Sequence, residues 1–319
     1  MKSKNQLMPM FFMVLACVVV FTSCKKKETI ADPNAKQHNE DVSNTKNESD
    51  NENTDINNVL KDVSAFGKTE GIQAYNICGA TVDTTHPGSS YPRVTLTFDG
   101  TTYCGSPARK RSGVVKVELI QGAKWSDAGA KLRVTHTEYK VTYQNLNNHS
   151  LVFNGIKYLT DVNGFNWLDI YFGTSTATIR ERSEDITVTF ENGNVAHWNC
   201  ARLSTWGISG GIVNPQFYAV VEADSINGTR KIDSWGTTRF GTNFTTEMIT
   251  PWKSGTHCGW WKPTQGKYTS TTDNFSITAT ASVDQEGNVV TTDCGGYGYK
   301  LDWNYNSGTA TGTVVIPYF

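Results

Sequence analysis

The chain has 319 residues and a formal net charge of −1, with 29 Lys and Arg against 30 Asp and Glu. This balance argues against a nucleic-acid-binding protein, which needs a basic surface to neutralise phosphates. Charged residues are only 18% of the chain, while Gly, Thr, Asn, Tyr and Trp are abundant. Thr and the aromatic residues favour strands, and Gly and Asn favour turns, so the composition indicates an all-β protein from outside the cytoplasm.

Residues 1–23 have the pattern of a signal peptide. Two early lysines precede the apolar segment Phe11–Phe21, and the small residues before Cys24 suit a cleavage site. The stretch VFTSC resembles a bacterial lipobox, in which the peptidase cuts before a cysteine that carries lipid on its thiol and its new amine. We expect a mature protein that begins at lipidated Cys24. An uncleaved membrane anchor, counted from Leu7, and a signal peptide without lipid are the alternatives.

Residues 25–58 are polar, lack aromatic side chains and carry charges of both signs. Such a segment cannot bury enough apolar surface to offset the entropy lost on ordering. We therefore predict a flexible tether that holds the folded part off the bilayer. An acidic tail that binds calcium or a partner is the alternative, although the cluster Asp50–Asp55 lacks the glycine of an EF-hand loop.

Apolar residues first recur at helical spacing at the end of this segment, at Ile56, Val59, Leu60 and Val63. The spacing predicts one short amphipathic helix that ends by Gly67. Residues 24–70 would thus contain the lipidated cysteine, a disordered tether and the short helix, and an all-β domain would span residues 71–319.

Within residues 71–319 the dominant period is two, as expected for strands with one buried face. Turn signals separate many of the apolar segments, among them four Asn-Gly pairs and one Glu-Gly pair. The fold class is therefore all-β, an antiparallel meander of many short strands with one short N-terminal helix, arranged as a sandwich, a barrel-like sheet or a long twisted sheet. A subdivision, if present, would fall near residues 207–215. The predicted strands cover 93–98, 114–120, 132–143, 151–159, 167–172, 177–182, 186–190, 195–201, 217–223, 238–248, 275–283, 289–293, 299–305 and 310–316.

Five cysteines follow the lipobox, and disulfides are their default state in an oxidising envelope. We predict the pairs Cys78–Cys104 and Cys258–Cys294, because each pair brackets a strand or hairpin. Each closes a loop of a few dozen residues, which stabilises a fold by about 3–4 kcal/mol in the chain-entropy model.

Cys200 is then unpaired. One interpretation makes it a thiol nucleophile or a metal ligand, with His197 as its partner in the stretch HWNC. On a strand, however, these two residues point to opposite faces. A buried, inert thiol is therefore the favoured interpretation.

Several stretches together resemble a group of uncharacterised cell-envelope lipoproteins of the Bacteroidota. They are CGATVD, VTLTFDG, the second cysteine Cys104, ARKRSGVVKVEL, VFNGIKYL, HWNCARLSTWG and HCGWWKPTQGKY. The resemblance implies an outer-membrane location and a β-rich domain, and it carries no activity, catalytic residue or cofactor. The lysines at positions 25–27 favour the periplasmic side, because surface-export signals of this phylum are usually acidic.

Two short motifs resemble the O-glycosylation sequence of exported Bacteroidota proteins, which is Asp-Ser/Thr followed by Thr or by a small or aliphatic residue. They place candidate glycosylation sites at Thr84 and Ser225.

Few residues suggest chemistry. GISGG, with Ser209 at its centre, matches the Gly-x-Ser-x-Gly pattern of serine hydrolases, but that motif needs a following helix, and Pro215 opposes one. The scattered His residues support no metal site. Nine Trp and 13 Tyr exceed ordinary needs, and adjacent Trp260 and Trp261 are candidates for stacking on sugar rings. Core and cross-strand aromatic packing is the alternative.

The sequence therefore favours a lipid-anchored envelope protein with a non-enzymatic binding or scaffolding role. Its expected partners are the membrane, through the lipid, and a glycan or another envelope protein, with neither a cofactor nor nucleic acid. A carbohydrate-binding lipoprotein that uses Trp260 and Trp261 is the first alternative, and a serine hydrolase acting through Ser209 is the second.

Overall fold

The structure is a computed structural model that describes residues 33–60, 77–85, 90–105, 108–144, 149–211, 214–259, 262–305 and 308–318. Cys24, Trp260 and Trp261 lie outside these residues, so the predictions made for them stay predictions. Within the described ranges the chain forms fifteen strands and two helices. Their bounds are α1 (Pro33–Leu60), β1 (Ala80–Asp83), β2 (Arg93–Cys104), β3 (Arg109–Gln121), β4 (Lys131–Tyr143), β5 (Ser150–Asp161), α2 (Trp167–Tyr171), β6 (Ala177–Phe190), β7 (Val195–Ser209), β8 (Gln216–Ala223), β9 (Ser225–Asn227), β10 (Arg230–Thr237), β11 (Asn243–Gly255), β12 (Gln265–Thr272), β13 (Phe275–Val283), β14 (Gly298–Tyr305) and β15 (Ala310–Pro317).

The strands form one continuous antiparallel sheet. Its hydrogen-bonded path runs in chain order from β1 to β7, continues through β10 and ends at β15. Two strands lie off this path: β8 pairs with β7 and β11, and β9 pairs with β10. The predicted all-β meander with an N-terminal helix is confirmed. The strands on either side of the connection near residues 207–215 belong to the same sheet, since β7 pairs with β8 from Arg202–Ala223 to Ser209–Gln216.

Two predicted strands are absent from the described structure. Residues 167–171 form the short helix α2, because the Asn166 side chain caps it by accepting the backbone N–H of Leu168. Residues 289–293 form a turn-rich segment, and only Val289 makes an isolated bridge, to Val283. Local side-chain bonding overrides the apolar pattern at the first site.

Helix α1 contradicts the tether prediction for residues 33–58. It has 28 residues, and Pro33 at its first position has a backbone angle already suited to a helix. Most of its surface is covered by the sheet. Apart from Asn34 in the first turn, the exposed residues form one narrow stripe, at Lys36, Glu40, Asn47, Asn51, Thr54 and Asn58. The prediction is wrong there because polar side chains, not apolar ones, make most of the buried contacts.

The inner face of the sheet, which we define as the face that packs against α1, carries charges that match those of the helix. Asp41 pairs with Arg239 at 2.6 Å and Glu48 with Arg109 at 3.1 Å. Further pairs join Lys46 to Asp233, Asp50 to Arg202, Glu52 to His136 and Lys157, and Asp55 to Arg111. The helix thereby contacts strands from β3 to β10, and the pairs fix both its axial position and its rotation.

Glu181 on β6 is the centre of this network. Its carboxylate accepts hydrogen bonds from Ser49 at 2.6 Å and Asn53 at 3.0 Å, and Arg202 lies 2.9 Å away. Burial alone would raise the pKa of Glu181, but Arg202 and then Lys157 hold it well below its ordinary value. Glu181 is therefore an ionised carboxylate deep in the protein, compensated from both the helix and the sheet.

Apolar packing completes the contact between helix and sheet. Val42, Ile56, Val59 and Leu60 of α1 are buried in one cluster with inward-facing strand residues such as Val115. No helix in the described ranges is long and apolar enough to span a membrane.

Near the start of α1, His38 contacts the inner face of the sheet. It lies 2.8 Å from the Ser270 hydroxyl on β12 and packs edge-on against Phe244.

Replacing Glu181 by Ala should destabilise the fold by about 3–5 kcal/mol, because Arg202 and Lys157 would lose a buried counter-charge. Urea unfolding followed by circular dichroism measures the change. Glu247→Ala is the matched control, since Glu247 pairs with Arg230 at 2.8 Å on the exposed part of the sheet, and it should cost less than about 1 kcal/mol. Equal losses for the two variants would contradict the network.

Acidification should weaken the fold through His38. Burial and then the positive charge of Lys46 lower the pKa of His38 from 6.5 to about 4. The unfolded chain binds the extra proton first, so stability is complete above pH 6.5 and is lost as the pH falls towards about 4. The loss amounts to about 3 kcal/mol.

The measurement compares urea unfolding of wild type and His38→Gln across this pH range. The difference between them removes the opposing contribution of buried acids such as Asp41 and Glu48, whose pKa values burial raises. The free energies of unfolding of the two proteins should differ by a constant amount above pH 7, and this difference should shrink as the pH falls to 4. A constant difference over the whole range would contradict the assignment.

Candidate functional site

A polar pocket of about 370 Å³ opens on the outer face of the sheet, opposite α1. It lies across β3, β4 and β5. Arg109 and Arg111 point inward to the helix, so the alternation of a strand turns Lys110 and Ser112 outward. The lining residues are Lys110, Arg111, Ser112, Lys140, Thr142 and Ser150, with Gly100 at one side.

The strand register brings these residues together. Lys110 is opposite Thr142, and Thr142 is opposite Ser150, so an ammonium and two hydroxyls follow one another across three strands. Ser112 is opposite Lys140 in the next pair along β3 and β4. Directly opposed residues on one face have Cβ atoms about 5 Å apart, which is close enough for two side chains to contact a single ligand group.

The charged residues that line the pocket are all basic, while one carboxylate, that of Asp99, lies opposite Ser112 on the neighbouring strand. Neither Lys110 nor Lys140 has a carboxylate within 4.0 Å among the described residues, and Lys110 lies over the Tyr103 ring at 5.8 Å. Arg111 is engaged elsewhere, with Asp55 and the Cys78 carbonyl. Two ammonium groups beside three hydroxyls form a set of donors that suits an anionic, hydrogen-bonding ligand.

Gly100 leaves open space at one side of the pocket, because it has no side chain. Its φ is +73°, a conformation that suits glycine, and a Cβ there would lie 3.2 Å from the Ser112 Cβ. A larger residue would therefore narrow the space beside Ser112.

The structure joins the four cysteines in the predicted pairs. Cys78 and Cys104 form a disulfide with their Cα atoms 6.0 Å apart, and Cys258 and Cys294 form another with a Cα separation of 5.1 Å. The first ties the chain before β1 to the end of β2, next to the pocket.

Cys200 is a free, buried thiol. It accepts a hydrogen bond from the Ser183 hydroxyl at 3.2 Å, and burial, followed by the charge of Glu181, raises its pKa to about 12. His197 lies on the other face of β7, where it pairs with Asp185 at 2.6 Å. The two residues do not meet, and a neutral thiol is a poor nucleophile.

Ser209 ends β7 at the surface. Its hydroxyl donates to the Gln216 carbonyl at 3.4 Å, and the chain enters β8 at that same residue. A nucleophile elbow needs a strand-to-helix turn. The connection here joins two strands, so it does not supply the geometry that a Ser209 hydrolase requires.

The described tryptophans are used mainly in packing. Trp198 is 8% exposed and packs on Phe244 with the ring centroids 5.2 Å apart. Trp252 stacks on Tyr299 at 6.0 Å and contacts Tyr268 at 5.8 Å. These rings belong to the protein's own aromatic packing, as the alternative to sugar stacking expects.

The two candidate glycosylation residues lie at strand boundaries. Thr84 directly follows β1, and Ser225 begins β9; both are half-buried. Asp224, which precedes Ser225, pairs with Arg180 at 2.9 Å and also with Arg182. Modification at Thr84 and Ser225 stays a prediction.

One group of side chains of the types that can hold a metal ion occurs in the described ranges, and the sequence alone did not indicate it. It consists of His257, Cys258, Asp293 and Cys294. The signal was present as two dipeptides, His-Cys and Asp-Cys, whose cysteines were already expected to pair. The pocket was missed for a different reason, since Lys110 and Lys140 become neighbours only through the register of β3 and β4.

The chain matches no protein-family model, no curated protein and no solved structure. A functional hypothesis therefore rests on the geometry and charge of the described residues.

Proposed function

We propose that the protein is a lipid-anchored envelope protein that binds an acidic glycan at the pocket on the outer face of its sheet. The observation that carries the proposal is the pair Lys110 and Lys140, two ammonium groups that have no ion-pair partner among the described residues and lie beside the hydroxyls of Ser112, Thr142 and Ser150. Lysines suit the carboxylate or sulfate groups of such a polymer, and hydroxyls suit its sugar oxygens.

A binding role is favoured over catalysis by what the pocket contains. None of its described lining residues is a His, Asp or Glu, so the lining offers no imidazole or carboxylate base to activate the hydroxyls of Ser112, Thr142 and Ser150. On the inner face, α1 packs closely enough to leave a cavity of only about 20 Å³ beside Glu52 and Lys157. Such a space holds about one water molecule.

Lipidation of Cys24 would hold this sheet close to the outer membrane, on the periplasmic side that the three following lysines favour. Only residues 25–32 separate Cys24 from the start of α1. At full extension they reach about 30 Å. Each buried methylene of an acyl chain contributes about 0.8 kcal/mol, so two or three chains would make the attachment effectively permanent.

The double variant Lys110→Ala/Lys140→Ala should bind acidic polysaccharide at least about tenfold more weakly than wild type, because each charge-assisted hydrogen bond contributes about 1.5–3 kcal/mol. Isothermal titration against polygalacturonate and dextran sulfate measures the loss. Wild-type binding should weaken with salt and should be absent for neutral dextran.

The matched control is Lys231→Ala/Lys253→Ala, which removes the same charge from exposed strand positions away from the pocket. It should leave affinity nearly unchanged. Equal losses of affinity in the two double variants would show that binding depends on net charge and not on the pocket. If the wild-type protein binds neither acidic polymer, the proposed ligand is refuted.

Cys24→Ser should abolish both palmitate labelling and detergent-phase partitioning in a Bacteroidota host. Cys200→Ser is the matched control and should change neither, because Cys200 is buried in the fold. A cleaved but unlabelled wild-type protein would support the signal peptide without lipid, and a retained N-terminus would support the uncleaved anchor. Either result would contradict the proposed lipid anchor.

A further inference from the structure

Two dipeptides far apart in sequence converge at one corner of the sheet. His257 and Cys258 form the turn after β11, and Asp293 and Cys294 lie in the connection between β13 and β14. One ligand atom from each residue lies within 4.8 Å of all the others. The His257 Nε2 atom is 2.9 Å from the Asp293 carboxylate, and the Cys258 sulfur is 3.8 Å from it.

We propose that this cluster is a reduction-dependent zinc site. In the structure Cys258 and Cys294 are joined as a disulfide, whose sulfurs are not thiolate ligands. After reduction the cluster offers two sulfurs, one imidazole nitrogen and one carboxylate oxygen. Zinc takes four such donors in a tetrahedron, and the two thiolates disfavour calcium and magnesium, which take oxygen ligands.

The redox step is a thiol–disulfide exchange with a dithiol reductant. One thiolate of the reductant attacks a sulfur of the pair and breaks the S–S bond, which gives a mixed disulfide. The second thiolate of the reductant then releases the protein, so the reductant becomes a disulfide and the pair gains two electrons and two protons. Zinc binding displaces those two protons, because the ligands are thiolates.

The backbone already orients the cluster for this role. Gly255 has no side chain, and a Cβ there would come within 2.8 Å of the His257 Nδ1 atom. The ring therefore packs against Gly255 with Nδ1 buried and turns Nε2 towards Asp293. Asp293 is 71% exposed, which leaves an entry path from solvent.

The required movement is small. Zinc–sulfur distances of about 2.3 Å place two thiolates of a tetrahedral site about 3.8 Å apart. The Cα atoms of Cys258 and Cys294 are 5.1 Å apart, so rotation of the two side chains away from each other is enough to open that separation.

The other disulfide provides an internal control. Cys78 and Cys104 belong to no group of three or more metal-ligating residues in the part of the chain that the structure describes. Reduction of that pair should therefore yield two thiols without the imidazole and carboxylate that complete a zinc site.

The test uses the full chain in detergent, before and after reduction by a phosphine that is then removed under argon. Zinc is titrated against a chromophoric chelator, and cobalt is added in parallel to detect thiolate-to-cobalt charge transfer. We expect one tightly bound zinc per reduced chain, a cobalt charge-transfer band, and no bound zinc in the oxidised protein.

Three variants separate the cluster from other thiols. Cys78→Ser/Cys104→Ser should keep the site, Cys258→Ser/Cys294→Ser should lose it, and His257→Ala should weaken zinc binding by at least about tenfold. Zinc binding that is equal in oxidised and reduced protein, or that is lost only in the first variant, would overturn the proposal.

The first variant also guards against unfolding, since Cys258–Cys294 is then the only disulfide left to reduce among the described cysteines. Near-ultraviolet circular dichroism follows its tertiary structure. A native signal that reduction leaves intact, or that zinc restores, would support the site. A signal that reduction removes and zinc does not restore would refute it.

Discussion

The structure depends on the pairing of buried charges between α1 and the inner face of the sheet. Inward-facing Arg109 and Arg111 would lose the carboxylates they pair with if the helix were absent, and an unpaired buried charge is strongly destabilising. The helix depends on the sheet in turn, because its side chains are too polar to bury themselves against an ordinary apolar core. Helix and sheet therefore form one structural unit, and each supplies what makes the other stable.

The helix also connects distant parts of this long sheet. The helix contacts β12 through His38 and β3 through Arg111, so a single element joins the strands near both ends of the path. Such contacts link residues more than 200 positions apart in sequence, as between His38 and Ser270. Loop-closure entropy must be overcome before those contacts form, which is expected to make folding slow and cooperative.

Most of the sheet could be predicted from the sequence, because each strand with one buried face alternates apolar and polar residues. The helix could not be predicted by the same rule, which counts apolar residues only. A helical spacing was nevertheless present among polar residues, at Asp41, Thr45, Glu48, Glu52 and Asp55, all of which the structure turns towards the sheet. A search for polar residues at this spacing, opposite basic residues in core-facing strand positions, would have suggested a buried polar helix.

Basic residues at core-facing positions could also be recognised in the sequence of β3. Arg109 and Arg111 have the same parity as Val115 and Val117, which alternation assigns to the core face. The pocket and the cysteine cluster were harder to find for a physical reason. Both depend on strand register and on the positions of loops, which the alternation of apolar and polar residues does not determine. The pairing of Cys258 with Cys294 was predicted because the two bracket a strand or hairpin, but the side chains that complete their cluster meet only in the folded chain.

The position of α1 bears on both proposed sites. Because α1 occupies the inner face, the proposed glycan pocket lies on the outer face and the proposed zinc cluster lies in the strand connections. Under the proposed lipidation, the same N-terminal segment is both anchor and core, since α1 begins only nine positions after Cys24. A force on the lipid is then transmitted to Asp41, Glu48 and Glu52, whose partners lie on several strands. The anchor therefore cannot detach from the domain without breaking the charge pairs on which the whole sheet depends.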